Sequence, residues 1–89
     1  MAEPLTIGVS PTPNPNALKF TLNRAVSDRG LTYRDAVSAE TPWAKALLAI
    51  PGIVGVFGIH AFISVNKQPE ASWEAIVPQA EAALRRVFQ

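Results

Sequence analysis

Several residue types that carry chemistry in small proteins are missing from this sequence or nearly so. The 89 residues include no cysteine and a single histidine, His60. Without cysteine the chain forms no disulfide and supplies no thiolate ligand. We therefore expect no cofactor to be bound by this chain alone.

Charge is also sparse, and it is spread along the chain. Eight Lys and Arg against seven Asp and Glu leave a formal net charge of +1, and the basic residues form no cluster. Because nucleic-acid-binding proteins usually carry a basic patch or stripe, we expect no nucleic-acid partner. The apolar runs fall short of the roughly 20 residues that span a bilayer, and the N-terminus lacks the pattern of a signal peptide. The expectation is a cytoplasmic protein without a membrane role.

What the sequence does contain is enough apolar material for one core. Hydrophobic residues make up 48% of the chain and charged residues 17%. Disordered chains have lower hydrophobicity and higher net charge, so this composition indicates a folded protein. The length predicts a single domain over residues 1–89.

The first part of the chain has the pattern of two strands joined by a stiff loop. Apolar and polar residues alternate over residues 5–9 and again over residues 18–22, the period of half-buried strands. Between them the segment SPTPNPNALKF (residues 10–20) begins with three prolines and two asparagines in seven residues. Proline fixes φ and asparagine favours turns, so the pattern predicts a hairpin with a rigid loop.

The rest of the chain alternates between helix and strand patterns. Thr41-Pro42 is typical of a helix start, an apolar stripe follows at helical spacing, and Pro51-Gly52 ends it. Residues 53–59 and 61–66 are predicted strands with a turn near His60, and Gly55 and Gly58 indicate close backbone approach or a bulge. A longer amphipathic helix is predicted after Ser72. Residues 31–33 fit a short edge strand.

This order predicts an α+β two-layer sandwich, with an antiparallel sheet of four to five strands and two helices on one face, in the order ββαββα. The other face of the sheet would then be open to water or to a partner. Its predicted residues are Thr6, Lys19, Thr21, Phe62 and Ser64.

Catalysis is not indicated. His60 lies in a predicted turn without a carboxylate nearby in sequence, and the loop carboxylates lack metal-ligand spacing. The glycines of residues 52–58 lie in or beside an apolar strand, unlike those of a phosphate-binding loop. We expect no catalytic residue and no metal ligand. The competing interpretation is a small enzyme or metal protein that uses His60 and the loop carboxylates.

The Pro/Asn loop and the open face are the candidates for recognition, because neither is needed to build a core. A rigid loop loses little entropy on binding, and an exposed aromatic side chain supplies contact area. The candidate residues here are Asn14, Asn16, Lys19 and Phe62. A purely structural turn next to an ordinary exposed aromatic residue explains the same pattern, and both interpretations stay open.

Four strings in this sequence together resemble one family. They are TPNPNALKF (residues 12–20), IPGI (50–53), FISVNK (62–67) and SWE (72–74) with Pro78. In this order they resemble the N-terminal domain of Nfu/NifU-like scaffold proteins over nearly the whole chain. Ala17 stands where the family often has Ser or Thr, and Ala61 stands where an Asp usually precedes the Phe-Ile pair.

The resemblance implies a role in iron–sulfur cluster assembly or delivery. In full-length members a second domain holds the cluster through a Cys-x-x-Cys pair, which this cysteine-free chain lacks. We therefore expect a stand-alone, non-catalytic interaction module whose protein partner is an iron–sulfur assembly scaffold or client. The alternative is a general protein-binding module unrelated to iron–sulfur biogenesis. The predicted partner-binding residues are Asn14, Pro15, Asn16, Lys19, Phe62 and Lys67.

Overall fold

Seven segments of regular structure follow one another in a computed structural model, which describes residues 4–88. Five strands form one antiparallel sheet in the order β1-β2-β5-β4-β3, accompanied by two helices. The predicted α+β fold with an open, five-stranded antiparallel sheet is confirmed. The elements are β1 (Ile7–Pro11), β2 (Ala17–Leu22), β3 (Ser27–Tyr33), α1 (Pro42–Leu48), β4 (Ile53–His60), β5 (Phe62–Lys67) and α2 (Trp73–Phe88).

The predicted hairpin of β1 and β2 forms one edge of the sheet. Val9 pairs with Phe20, and Pro11 ends the strand opposite Leu18. A proline without an N–H is tolerated at the end of an edge strand because no further neighbour needs its donor. On its other side β2 pairs with β5, so that Phe20 lies opposite Ile63.

The opposite edge strand, β3, is longer than the sequence predicted. The alternation favoured residues 31–33, whereas the strand runs from Ser27 to Tyr33 with a register shift between Ser27 and Leu31. Charged residues and Gly30 interrupt the apolar alternation in this part, so periodicity does not reveal it. Pairing with β4 supplies the ladder that local sequence does not indicate.

Both glycines inside β4 have the roles that their position predicted. The register against β5 shifts between Ile53 and Gly55, which places Gly55 at an irregularity. A Cβ on Gly58 would lie 2.6 Å from the Trp43 ring, so Gly58 permits α1 to pack closely on the sheet. The strand then turns at His60, whose φ of 54° lies in the left-handed region.

Each helix begins where its capping residue predicted. The Thr41 hydroxyl accepts a hydrogen bond from the N–H of Ala44 at 3.4 Å, and the Ser72 hydroxyl accepts one from the N–H of Glu74 at 3.1 Å. Pro78 lies inside α2 on its exposed side. Among residues 4–88, neither helix combines the length and apolarity that crossing a bilayer requires.

The core lies between one face of the sheet and the helices. Its side chains with no measurable exposure come from both layers, and they include Phe20, Leu47, Ile63, Val65 and Leu84. Burying side chains of this kind contributes roughly 1.5–3 kcal/mol each. The helices cover only this face, so the open side of the sheet has no second layer among the described residues.

Candidate functional site

The loop between β1 and β2 is held by its own polar side chains. The Thr12 hydroxyl lies 2.9 Å from the carbonyl oxygen of Asn14 and 3.0 Å from that of Ala17, and it accepts from the N–H of Asn14. The Asn14 side-chain oxygen accepts from the N–H of Asn16 at 2.9 Å. These bonds close a compact Asx-type turn, as the prolines and asparagines predicted.

Lys67, at the end of β5, attaches this loop to the sheet. Its ammonium donates to the Asn16 side-chain oxygen at 3.1 Å and to the carbonyl oxygens of Gln68 and Pro69 at 3.2 and 3.4 Å. Its backbone N–H donates to the carbonyl oxygen of Asn16 at 2.9 Å. Only 9% of Lys67 is exposed, so its ammonium is a buried, hydrogen-bonded charge and not an exposed surface charge.

Trp73, the first residue of α2, completes the attachment. Its indole N–H donates to the carbonyl oxygen of Pro15 at 3.0 Å, and the Lys67 ammonium lies 5.6 Å from the centroid of its ring. The Trp73 side chain is half-buried, packs against the core and holds the loop through this hydrogen bond. The sequence does not predict this hydrogen bond, because Trp73 lies on the apolar stripe of a helix and Pro15 is 58 residues away.

Lys19 and Phe62 lie apart from this cluster, on the open face. The Lys19 ammonium is 4.2 Å from the centroid of the Phe62 ring, a cation–π contact between neighbouring strands. The predicted set of six residues therefore divides in two. The Pro/Asn loop with Lys67 is one group, and the pair of Lys19 and Phe62 is the other.

The pairing register adds residues to the open face that the sequence analysis missed. Phe57 lies opposite Ser64, and Ile59 lies opposite Phe62, so both point to the same side as Lys19. The continuous apolar run of residues 53–59 hid which residues face outwards, because a run without alternation fits a strand buried on both faces. Phe57, Ile59 and Phe62 together form what we call the open-face patch, and each is half-buried.

The groups considered for catalysis are His60 and the loop carboxylates. His60 is exposed in the turn, and its ring forms a T-shaped pair with the Phe62 ring, with 6.3 Å between the ring centroids. The N–H of Ser38 donates to the Asp35 carboxylate at 2.8 Å, and this bond, with the Ser38 hydroxyl, lowers the pKa of Asp35. Within residues 4–88, no three His, Asp or Glu side chains converge as metal ligands.

Comparison with known proteins agrees with this architecture. The family model described as "Scaffold protein Nfu/NifU N terminal" matches residues 7–89. The chain belongs to the Nfu/NifU N-terminal family. This finding confirms the resemblance that the four sequence strings indicated.

Among curated relatives, "Conserved virulence factor C" from Staphylococcus aureus strain USA300 is 36% identical over 76 residues. The protein of the same name from Staphylococcus saprophyticus is 32% identical over 79 residues. These alignments cover 84% and 88% of this Nfu-family chain but only 20% and 21% of the relatives. The chain thus spans about a fifth of the length of the curated relatives that it matches.

Solved structures share the fold. The crystal structure of protein SAV1430 from Staphylococcus aureus superimposes with a TM-score of 0.80 at 31% identity, covering 88% of this chain and 96% of that one. A NifU-like protein from Saccharomyces cerevisiae gives a TM-score of 0.81 at 22% identity, covering 92% and 76%. The yeast comparison supports the fold alone.

Proposed function

We propose that this Nfu N-terminal-type domain is a non-catalytic protein-interaction module that is accessory to iron–sulfur cluster assembly or delivery in the cytoplasm. It would bind a cluster scaffold or client without itself holding a cluster. Family membership supports the pathway, and the absence of cysteine supports the second statement.

The observation that carries the proposal is the uncovered sheet face. Burying an aromatic ring contributes favourable free energy, so a sheet face with two half-buried phenylalanines gains from being covered. The helices that would provide such a cover lie on the other side of the sheet. The Lys19 ammonium beside Phe62 adds a polar group that gives a contact its orientation.

The Pro/Asn loop is the second, rigid part of the proposed contact surface. Asn14 and Pro15 are exposed, whereas Asn16 is half-buried and Lys67 is buried, and the side chains of these last two are joined by a hydrogen bond. We therefore assign partner contact to Asn14, Pro15, Lys19 and Phe62, and the positioning of the loop to Asn16 and Lys67. A rigid loop costs little conformational entropy when a partner binds.

The test is affinity purification from cell extract, followed by mapping of the purified partner on the ¹⁵N-labelled domain by chemical-shift perturbation. We expect an iron–sulfur assembly protein to be recovered and the shifts to concentrate on β2, β5 and the loop tip. Phe62→Ala should weaken binding by roughly tenfold or more, the effect of losing a buried aromatic contact.

The matched control is Val37→Ala, which shortens an apolar side chain that is 96% exposed on the loop between β3 and α1. It should leave the affinity unchanged, and thermal unfolding of both variants should verify that they fold. Shifts confined to the helical layer would contradict the proposed surface. A partner without any connection to iron–sulfur biogenesis would instead support the general protein-binding module.

A further inference from the structure

Among the described strand residues that the pairing register assigns to the open face, none is acidic. The register places twelve strand residues on this side, and only Lys19 among them is charged. In three rows across the sheet they are Gly8, Thr21, Phe62 and Ile59; Ser10, Lys19, Ser64, Phe57 and Thr32; and Ala17, Asn66 and Gly55.

A second cation lies at the far end of this face. Arg34 follows Tyr33 at the end of β3, is exposed, and lines a depression of about 270 Å³ together with Thr32, Phe57 and Asn66. The adjacent carboxylate of Asp35 accepts a hydrogen bond from the N–H of Ser38, which directs it to the following loop. The open-face patch is thus flanked by Lys19 on one side and Arg34 on the other.

The separation of the two cations sets a length scale. Lys19 is on β2 and Arg34 follows β3, so three interstrand spacings separate them, about 14 Å across the sheet, and Arg34 lies two residues, roughly 7 Å, beyond the row of Lys19. An extended segment covers a similar distance, about 13 Å, in four residues, and its side chains at i, i+2 and i+4 point to one side. Carboxylates at i and i+4 would then reach the cations while the side chain at i+2 rests on the phenylalanines.

We propose that the partner presents an extended acidic segment to this face, with the pattern acidic-x-apolar-x-acidic. The inference rests on the proposed function and adds the chemistry of the partner to it. Charge complementarity supports an acidic occupant, because the face offers two cations and, at its twelve strand positions, no carboxylate to repel one. The half-buried rings between the cations favour an apolar residue at the centre of the segment.

The probe is a seven-residue peptide, acetyl-Gly-Glu-Ser-Leu-Ser-Glu-Gly-amide, titrated into the ¹⁵N-labelled protein. We expect shifts at β2, β5, β4 and the end of β3, and a dissociation constant that rises with added NaCl. Two control peptides separate the contribution of the glutamate charges from that of their spacing. One has glutamine in place of both glutamates, and the other has the same composition with the glutamates adjacent; each should bind at least about fivefold more weakly.

Variants of the protein test the same pairing from the other side. Lys19→Gln and Arg34→Gln should each weaken binding of the glutamate peptide by about fivefold and leave binding of the glutamine peptide unchanged. Lys45→Gln is the matched control, since Lys45 is an exposed lysine on α1, in the other layer. Equal affinity for the glutamate and glutamine peptides, or no effect of the two variants, would overturn the inference.

The partner recovered by affinity purification distinguishes this failure from failure of the proposed function. If that protein shifts the open face but binds Lys19→Gln and Arg34→Gln as tightly as the unchanged domain, the acidic pattern is wrong and the interaction module stands. If it leaves the open face unperturbed, the proposed function fails as well.

Discussion

At the scale of single residues, the Lys67 side chain attaches the Pro/Asn loop to the end of β5. Its ammonium has three protons, and three oxygens lie within hydrogen-bond distance, from Asn16, Gln68 and Pro69. A buried charge is costly unless it is fully hydrogen-bonded, and here the bonds are complete. A lysine at the end of a strand predicts an exposed charge, so its role in attaching the loop was not readable from the sequence.

Replacing Lys67 with methionine keeps an unbranched apolar stem of similar length up to Cε and removes the ammonium with its three donors. The three oxygens then lose a partner in a partly buried site, so the free energy of unfolding should fall by about 1–3 kcal/mol. Urea denaturation measures the change. Lys45→Met, at an exposed position of α1, should stay within about 0.5 kcal/mol of the unchanged protein. Equal effects of the two substitutions would show that the Lys67 bonds contribute nothing.

Asp35 gives a second prediction at this scale, concerning pH. The N–H and hydroxyl of Ser38 hold the pKa of Asp35 below its ordinary value of 3.8. A lowered pKa in the folded state stabilises the fold above the unfolded pKa, and this contribution is lost as the pH falls through the folded pKa. The loop should therefore keep its structure at neutral pH and loosen only below pH 3.8.

The amide chemical shift of Ser38 measures this transition. In the unchanged protein it should move with a midpoint below pH 3.8, and in Asp35→Asn it should show no such transition. Asp28→Asn, in β3, should retain the Ser38 transition, because Asp28 is outside this turn. A Ser38 shift that follows the same curve in Asp35→Asn would contradict the assignment.

At the scale of elements, β4 shows how two glycines of one strand differ in their surroundings. A Cβ on Gly58 would meet the Trp43 ring at 2.6 Å, too close for a real contact, whereas one on Gly55 would meet the carbonyl oxygen of Tyr33 at an ordinary 3.7 Å. The Trp43 side chain of α1 therefore packs directly on the backbone of Gly58. Because Gly58 has no side chain, α1 can pack close to the sheet at this point.

Gly58→Ala should accordingly destabilise the protein by about 1–3 kcal/mol, the usual cost of overpacking a core. Gly55→Ala is its matched control in the same strand and should change the free energy of unfolding by less than about 1 kcal/mol, since the added methyl group fits. Thermal and urea unfolding of the two variants measure the difference. Comparable losses in both would contradict a specific role for the contact between Gly58 and Trp43.

Periodicity and capping predicted most elements but not every surface. The strands containing Phe20 and Ile63 alternate clearly, and Thr41 and Ser72 mark both helix starts, so these elements were readable locally. The full extent of β3 and the outward direction of Phe57 were not. Both depend on which strands pair and in what register, and pairing is a property of the assembled sheet.

The same reasoning applies to the candidate site. The sequence identified the loop and the pair of Lys19 and Phe62, because prolines, asparagines and a lone aromatic on a polar strand face are local signals. It missed the bond from Trp73 to Pro15, which joins residues 58 positions apart. Contacts of that separation follow from tertiary packing and have no local pattern.

On the scale of the whole molecule, the strands differ in how many neighbours they have and in how deeply they are buried. The helices cover one face of the sheet, and β5 lies at its centre with Ile63 and Val65 fully buried. The edge strands β1 and β3 have only one neighbour each. Stability should therefore fall from the centre of the sheet to its edges.

Hydrogen exchange measures this gradient. We expect the amides of Ile63 and Val65 to exchange most slowly, close to the limit set by global unfolding, and those of β1 and β3 to exchange faster. A partner bound to the open face should slow exchange in β2 and β4 more than in α2. Uniform protection across all five strands would contradict a stable centre with weaker edges.

The two tryptophans lie in different surroundings, so the fluorescence of Trp73 can serve as a probe of the Pro/Asn loop. Trp43 is 3% exposed and packs in the core, whereas Trp73 is half-buried, bonded to Pro15 and close to the Lys67 ammonium. Indole emission responds to nearby charge and water, so Trp73 fluorescence should report the state of the loop while that of Trp43 stays constant. In Trp43→Phe, Trp73 is the single tryptophan that emits. A ligand that disturbs the loop should change the emission spectrum of this variant, and a ligand confined to the open face should leave the spectrum unchanged.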